Sequence, residues 1–219
     1  MKESKLSDGL QAKVTNTELV EERRGQIVKT AIKLFSRQGF YKTTIQDIAR
    51  EAGFSQGFIY QYFNSKEELL LYSLRVVLDS YENDIPPRLR GIHHPVDRLC
   101  ATIAAFCSSV DAHRATTVLA YRSSKSLKPE MQKLVMADET RTNRHIREAL
   151  DVCFNEGYMI EVNRDIMVYQ CLMFAHSWAL KSWVYRDKFT IDEYIQEGLK
   201  ILVRPLLTPK GAEFWSKYY

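Results

Sequence analysis

Apolar residues recur every three or four positions along most of the chain, which is the spacing of amphipathic helices. The clearest case is a short predicted helix whose apolar stripe consists of Ile45, Ile48, Ala49 and Ala52. Thr44 is a favourable N-cap for this helix, and Asp47 stands three residues later in the pattern of a capping box. Gly53 follows where a helix ends in a left-handed conformation that glycine adopts at little cost.

A second short helix is predicted after the glycine turn, with Ser55 as its N-cap and with Ile59 and Phe63 on its buried side. Ser65 and Glu68 form the pattern of a further capping box, which begins a third helix. Two short helices separated by a glycine turn have the spacing of a helix-turn-helix.

The outward face of the second short helix is polar without being charged. Its positions are Ser55, Gln56, Gly57, Tyr60 and Gln61, with Tyr62 at its end. Glutamine can bind adenine edges through two hydrogen bonds, and serine and tyrosine hydroxyls donate to phosphate. Gly57 would let the backbone approach a groove wall closely. The alternative is a small helical hairpin that packs only against its own domain.

The segment from about Arg24 to Leu70 resembles the DNA-binding domain of the TetR (tetracycline-repressor-like) family of bacterial transcription regulators. The matching residues are Ala31, Leu34, Phe35, Gly39, Phe40, Thr43, Thr44, Ile45, Ile48, Ala49, Ala52, Gly53, Ser55, Gly57, Tyr60, Tyr62, Phe63, Lys66, Leu69 and Leu70. They cover roughly the first third of the chain, and beyond them the family shares architecture more than sequence. The predicted DNA-binding residues are Thr43, Thr44, Ser55, Gln56, Gly57, Tyr60, Gln61, Tyr62 and Lys66. Tyr60 and Lys66 are expected to hold phosphates.

The rest of the chain has helical spacing and no strand pattern. We predict a helix over 20–38 that ends at Gly39 and a long helix over 65–83 that Pro86-Pro87 stops. Further helices are predicted at about 96–111, 113–126, 130–155, 165–186 and 191–207. The predicted fold is therefore all-α, with an N-terminal three-helix helix-turn-helix domain and a C-terminal helical ligand-binding and dimerisation domain. The predicted divisions are a flexible arm over 1–19, the DNA-binding domain over 20–66 and the effector domain over 67–219.

Charge supports a nucleic-acid partner for the N-terminal part. Residues 1–66 contain 11 Lys and Arg against 7 Asp and Glu, whereas the remaining residues contain 20 of each. The excess positive charge therefore lies in the segment with the helix-turn-helix, where it attracts phosphate.

Composition limits the other function classes. The 219 residues are 45% hydrophobic and 26% charged, and they contain no long apolar run and no signal-peptide pattern, so we predict a cytoplasmic protein without a membrane segment. The four cysteines form no CxxC pair, which agrees with a reducing compartment.

Catalytic and metal-binding motifs are absent from the sequence. It contains no GxSxG, HExxH, GxGxxG or phosphate-binding glycine loop. His93 and His94 are adjacent on a connector, and His113, His145 and His176 are isolated from other ligand types. We predict no enzymatic activity, cofactor or metal, with a metal sensor assembled in the tertiary structure as the alternative.

Two C-terminal segments predict self-association. The run DIMVYQCLMFAHSWALKSWV is apolar nearly all round, which indicates burial on more than one side. The last predicted helix places Ile195, Leu199, Leu202 and Leu206 at coiled-coil-like spacing. In TetR-like proteins the last two long helices form a dimeric four-helix bundle, so the resemblance implies a homodimer through residues 165–207. A monomeric core is the alternative.

Aromatic and basic residues of the C-terminal part suggest an effector site. The candidates are Phe106, Arg114, Tyr121, Arg122, Arg141, Arg144, Phe174, His176, Trp178, Lys181 and Trp183. An aromatic core and a solvated arginine face are the alternatives. Several TetR-like regulators of catabolism respond to coenzyme A thioesters, so an apolar pocket with a basic rim favours an acyl- or aroyl-coenzyme A. A free aromatic or lipophilic compound is the second choice.

Together these patterns predict a homodimeric, ligand-responsive repressor of a palindromic operator. The effector would tilt the helix over 65–83 and so change the separation of the two recognition helices. The alternatives are an efflux or detoxification repressor released by a free aromatic compound, an activator, an effector-independent repressor and, from a different class, a helical interaction module that does not bind DNA.

Overall fold

The computed structural model describes residues 17–218, and these residues are almost entirely helical. The helices are α1 Thr17–Gln38, α2 Ile45–Ala52, α3 Gln56–Tyr62, α4 Lys66–Arg88, α5 Pro95–Ala112, α6 Arg114–Ser123, α7 Pro129–Asn155, α8 Arg164–Leu180, α9 Ser182–Tyr185, α10 Ile191–Leu202 and α11 Pro209–Tyr218. Among residues 17–218, the β-type backbone pairing consists of one isolated antiparallel bridge between Met159 and Leu207. The all-α prediction is confirmed.

The chain forms two compact units. The first contains residues 17–77 and 118–137, and the second contains residues 78–117 and 138–218. Helices α4, α6 and α7 each contribute residues to both units. The functional division at residue 66 that the sequence suggests stays a prediction.

Local sequence explains where the short helices of the first unit begin and end. The Thr44 hydroxyl accepts from the Asp47 amide at 3.1 Å, and the Asp47 carboxylate accepts from the Thr44 amide at 3.1 Å, which completes the predicted capping box. Gly53 has φ of 72° and ends α2. The Ser55 hydroxyl accepts from the Phe58 amide at 3.1 Å and begins α3.

The core of the first unit lies between α1 and the helices that follow it. Its fully buried side chains include Ile27, Phe35, Ile48, Ile59, Phe63, Leu69 and Leu70, and Leu119 and Leu127 from the second stretch of the unit join the same cluster. Burial of this cluster orients α2 and α3, because each is too short to be stable alone.

Two helix boundaries in the N-terminal half differ from the prediction. α1 begins at Thr17, so residues 17–19 belong to the helix and not to an arm, whereas the prediction for residues 1–16 lies outside the described part of the chain. α4 continues through Pro86 and Pro87 to Arg88, where a stop was predicted. The two prolines remove only two amide donors, both in the last turns. The adjacent Ile85 is 0% exposed, so packing holds those turns in place.

Two predicted helices end early in the C-terminal half, and one helix was not predicted. The predicted helix over 165–186 ends at Leu180, and α9 follows as a separate short turn. The predicted helix over 191–207 ends at Leu202, because Pro205 lies in a turn of 3-10 helix over Arg204–Leu206. Leu206 is therefore not part of the apolar stripe on α10. The sequence also failed to predict α11.

Helices α5, α8 and α10 form the centre of the second unit. Ile103, Phe106 and Cys171 are at most 1% exposed there. The Phe174 ring of α8 stacks on the Tyr194 ring of α10 with 4.4 Å between centroids. Gly198 makes room for this stack, because a Cβ at that position would overlap the Phe174 ring.

Candidate functional site

An open cleft of about 470 Å³ lies on the surface of the first unit. Its lining consists of Thr43, Thr44, Ile45, Gln46, Gln56, Tyr60, Asn64, Ser65, Lys66 and Glu67. The first turns of α2 and α4 face the cleft, together with one side of α3. Helix N-termini carry unsatisfied amides and partial positive charge, so the cleft is suited to an anionic group such as a phosphate.

The exposed face of α3 extends the cleft. Gln56, Gly57 and Gln61 are exposed, and Tyr60 keeps 43% of its surface accessible. The Ser55 hydroxyl caps α3, although the residue itself is exposed. These side chains are in the positions predicted for DNA contacts, and the contacts themselves stay a prediction.

Two residues predicted to contact DNA are buried. Thr43 is 0% exposed; its hydroxyl donates to the Gly39 carbonyl at 2.8 Å and accepts from the Gln38 amide at 3.3 Å. Tyr62 is 3% exposed, and its ring packs at 5.1 Å from that of Phe58. Tyr62 follows the buried Ile59 by three residues, so it lies on the core side of α3. The prediction that these two side chains face a groove is therefore wrong.

Lys66 holds its own domain together. Its ammonium donates to the carbonyls of Phe40 at 2.9 Å and Thr43 at 3.0 Å, and lies 3.5 Å from the carbonyl of Tyr41. It also lies 4.4 Å from the centroid of the Phe40 ring. An ammonium has three donors, and here three carbonyls surround it. The ammonium is therefore engaged within the domain, and phosphate contact by Lys66 stays a prediction.

The sequence prediction missed Gln46, Asn64 and Glu67 at the cleft. Gln46 is an exposed polar residue in the first turn of α2, and Asn64 immediately precedes the cap of α4. The sequence indicated these positions only as polar residues next to the capping motifs of α2 and α4. Only the tertiary structure shows that the two first turns face the same cleft.

The aromatic effector candidates lie mainly in the core of the second unit. Phe106 is 1% exposed and packs at 5.8 Å from the Tyr81 ring. Trp178 is 3% exposed, and its indole N–H donates to the Asp111 carboxylate at 2.5 Å. Phe174 belongs to the stack with Tyr194 described above. These three aromatic residues pack the core, as the alternative interpretation of the sequence held.

The remaining candidates on α8 and α9 do not share one face. His176 is partly buried, and desolvation lowers its pKa to about 4. Lys181 is exposed with its ammonium 5.9 Å from the Trp183 ring, and Trp183 is 69% exposed. Since α8 ends at Leu180, the prediction that His176 and Trp183 stand on one face of a single helix is wrong.

Three arginines of the predicted basic rim have carboxylate partners. Arg114 pairs with Asp111 at 2.5 Å, and Arg141 pairs with Asp79 at 2.6 Å and with Asp138 at 2.9 Å. Arg144 lies 3.5 Å from Glu148 and 4.0 Å from Glu82. These pairs place carboxylates beside the predicted basic rim, and its role at an effector site stays a prediction. Tyr121 and Arg122 are exposed residues of the first unit.

Metal and membrane sites receive no support in the described residues. Between residues 17 and 218, no group of three or more His, Cys, Asp and Glu side chains is arranged to hold a metal ion. In the same part of the chain, no helix has the length and apolarity needed to cross a membrane. The fold and the cleft define a helical protein with a helix-turn-helix unit.

Comparison with known proteins identifies the family. Residues 27–72 match the model "Bacterial regulatory proteins, tetR family", and residues 93–187 match "Tetracyclin repressor-like, C-terminal domain". The HTH-type transcriptional regulator HbdR of Aromatoleum sp. (strain CIB) is 49% identical over 211 residues, which cover 96% of this chain and 92% of HbdR. The chain belongs to the TetR family of transcriptional regulators.

Solved structures show the same fold. The ketosteroid transcriptional regulator KstR2 of Mycobacterium tuberculosis has a TM-score of 0.70 at 23% identity, covering 90% of this chain and 98% of that chain. AibR in complex with isovaleryl coenzyme A and operator DNA has a TM-score of 0.72 at 20% identity, covering 82% of this chain and 97% of that chain.

Proposed function

We propose that this regulator is a homodimeric repressor that binds a palindromic operator and is released by a small-molecule effector. The observation that carries the proposal is the cleft, in which the first turns of α2 and α4 flank the polar face of α3. A bacterial operator as the partner would place the activity in the cytoplasm.

Base recognition is assigned to Gln56 and its neighbours, and phosphate contact to Tyr60 and the two helix N-termini. Gln56 lies in the first turn of α3 on its exposed face, and its amide can both donate and accept. Thr44 and Gln46 lie where the amides of α2 can meet phosphate. This assignment leaves Thr43, Tyr62 and Lys66 as structural supports.

Dimerisation is assigned to residues 165–207. α8 exposes an apolar stripe in which Ile166, Tyr169 and Met173 are 62%, 51% and 43% exposed, and Ile201 of α10 is 73% exposed. Apolar side chains spaced by three and four residues on one helix face are suited to pack against a second copy. A helix-turn-helix regulator also needs two copies to bind two half-sites.

The first candidate for the effector is an acyl- or aroyl-coenzyme A thioester. AibR, which has the same fold, was crystallised with isovaleryl coenzyme A. The carboxylate partners of Arg114, Arg141 and Arg144 weaken the argument from a basic rim. A free aromatic or lipophilic compound is therefore kept as the second candidate.

The DNA assignment is tested by measuring binding of the full chain to its own promoter. Gln56→Ala should relax base preference at one position in each half-site, because one good base contact contributes about 1–3 kcal/mol. Tyr60→Phe should weaken binding to all sequences alike. Gln26→Ala on α1 is the matched control, because Gln26 is an exposed glutamine away from the cleft. A footprint that neither Gln56→Ala nor Tyr60→Phe alters would contradict the assignment.

The effector class is tested by operator release and thermal shift with a panel of free acids, their coenzyme A thioesters and uncharged aromatic compounds. Thioesters should stabilise the protein and release DNA. If uncharged aromatics do so and thioesters do not, the second candidate replaces the first. If binding of the chain to promoter fragments depends on neither salt concentration nor DNA sequence, the helical interaction module is favoured.

A further inference from the structure

An arginine of α1 is buried within the first unit. Arg24 is 2% exposed, although charged side chains are rarely buried to this degree unless they are paired. Its guanidinium lies 3.5 Å from the Glu21 carboxylate, one turn earlier on the same helix. Because so little of its surface is accessible, the Arg24 side chain is not in a position to bind a phosphate.

The Arg24 guanidinium lies in a corner between two aromatic rings. Its central carbon is 5.5 Å from the centroid of the Tyr72 ring and 6.0 Å from that of the Phe63 ring. The two rings meet edge to face, with centroids 5.5 Å apart and an angle of 74° between their planes. Both residues are at most 2% exposed, so these cation–π contacts are strengthened by the exclusion of water.

A hydrogen bond closes this arrangement on its polar side. The Tyr72 hydroxyl donates to Glu21 Oε2 at 2.8 Å, while Glu21 Oε1 faces Arg24. The two oxygens of one carboxylate therefore hold two different side chains. We call Glu21, Arg24, Phe63 and Tyr72 the Arg24 cluster.

The Arg24 cluster joins three helices at the point where α3 ends. Phe63 is the C-cap of α3, and its amide donates to the Ile59 carbonyl at 3.0 Å. Tyr72 lies in α4, and the two charged members lie in α1. Because α3 has seven residues and is too short to be stable alone, its direction depends on what holds its two ends. Phe63 holds the C-terminal end, and Arg24 holds Phe63.

Stability alone does not account for a buried guanidinium. Its removal from water is costly, and an apolar residue of similar volume often gives equal or greater stability at a buried position. The planar guanidinium fits the corner between the two rings in a defined orientation, whereas a flexible apolar side chain would fit in several. What Arg24 adds is therefore the geometry that it imposes on Phe63 and, through Phe63, on α3.

We propose that Arg24 is a positioning residue for base recognition, and this inference rests on the proposed function, in which α3 reads an operator. A base contact by Gln56 requires a narrow range of helix orientations, because both hydrogen bonds of its amide must be formed. Attraction to phosphate tolerates displacement, because it depends on charge and distance. Arg24 therefore governs the preference for operator over unrelated DNA and contributes little to DNA binding in general.

The test compares the affinity of the full chain for the promoter site that it protects with its affinity for unrelated DNA of equal length. Arg24→Met removes the guanidinium, keeps an unbranched side chain and should reduce the ratio of the two affinities by about fivefold to a hundredfold. The slope of log K against log salt should stay the same, because no phosphate contact is lost. Binding is measured at a temperature at which thermal melting shows the variants to be folded, so that lost stability does not alter the ratio.

Two further variants and a matched control locate the effect. Arg24→Lys keeps the charge but not the planar group and should also reduce the ratio. Tyr72→Phe removes the hydroxyl that binds Glu21 and should reduce the ratio less. Arg23→Met is the matched control, because the neighbouring Arg23 side chain donates to Gln26 at 2.9 Å in an exposed hydrogen bond. This control should keep the ratio, even where it weakens binding to both DNAs. If Arg24→Met does not fold, Arg24→Lys and Tyr72→Phe decide the test.

The outcomes separate this inference from the proposed function. A parent protein without preference for its promoter would overturn the proposed function, and this inference with it. A preference that Arg24→Met and Arg24→Lys both keep, with only the melting temperature lowered, would overturn this inference alone. Equal weakening of binding to both DNAs by Arg24→Met, with the magnitude of the salt slope reduced by about 1, would show that Arg24 binds a phosphate instead.

Discussion

At the scale of single residues, the placement of Lys66 changes what its removal should do. Lys66→Met removes the donor to the carbonyls of Phe40 and Thr43 and should loosen the loop that leads to the Thr44 cap. Operator affinity should fall while the slope of log K against log salt stays the same. If Lys66 bound a phosphate, its replacement would instead reduce the magnitude of that slope by about 1. Lys42→Met is the control, because Lys42 is an exposed lysine on the same loop.

His176 gives the fold a dependence on pH. Its pKa is lowered to about 4 in the folded protein, from about 6.5 in an unfolded chain. Between these values only the unfolded chain binds this proton, so protonation favours unfolding. The stability associated with neutral His176 is complete above about pH 6.5 and is lost as the pH falls toward 4, by at most about 1.4 kcal/mol per pH unit.

The measurement is the free energy of unfolding in denaturant at several pH values. His176→Leu should show a shallower loss of stability than the parent protein between about pH 6.5 and 4. His93→Asn is the control, because His93 is exposed. Equal slopes for His176→Leu and the parent would show that His176 does not stay neutral in the folded protein.

At the scale of helices, Gly198 fixes how closely α8 and α10 pack. Gly198→Ala would place a methyl group in the Phe174 ring and displace its stack with Tyr194, so we expect a loss of about 1–3 kcal/mol in the free energy of unfolding. Gly25→Ala on α1 is the matched control, since a Cβ there meets nothing within 4 Å. That change should stabilise the protein by about 0.5–1 kcal/mol. Thermal melting of both variants decides between these expectations.

Helix positions followed from the sequence wherever a local signal decided them. Thr44, Gly53 and Ser55 determine the ends of α2 and α3 through their own hydrogen bonds and backbone angles, so these ends were predictable. Pro86 and Pro87 were misjudged, because burial of Ile85 outweighs the loss of two amide donors. That burial depends on distant parts of the chain, which a local pattern does not contain.

Site residues divide in the same way. The exposure of Gln56 and Tyr60 followed from the periodicity of α3. Tyr62 was misplaced because it was assigned to the end of the polar face, although it follows the buried Ile59 by three residues.

At the scale of the whole molecule, release by an effector requires that effector and operator oppose each other equally. If saturating effector weakens operator binding by some factor, saturating operator must weaken effector binding by the same factor, typically about 5–150-fold. Both dissociation constants should be measured at one salt concentration, by fluorescence anisotropy and by calorimetry. Unequal factors would show that the compound competes for the DNA surface or binds at a further site.

The cysteines of the chain offer a way to observe that coupling. Cys100, Cys107, Cys153 and Cys171 are the four cysteines of the sequence, and all are buried. Burial raises the pKa of Cys153 and Cys171 to about 12, which leaves little of the reactive thiolate. A maleimide probe should therefore react with a cysteine introduced at exposed Gln61 and leave the native thiols unmodified. Spin labels attached there, without removing any native cysteine, would report the distance between the two recognition helices of a dimer with and without effector.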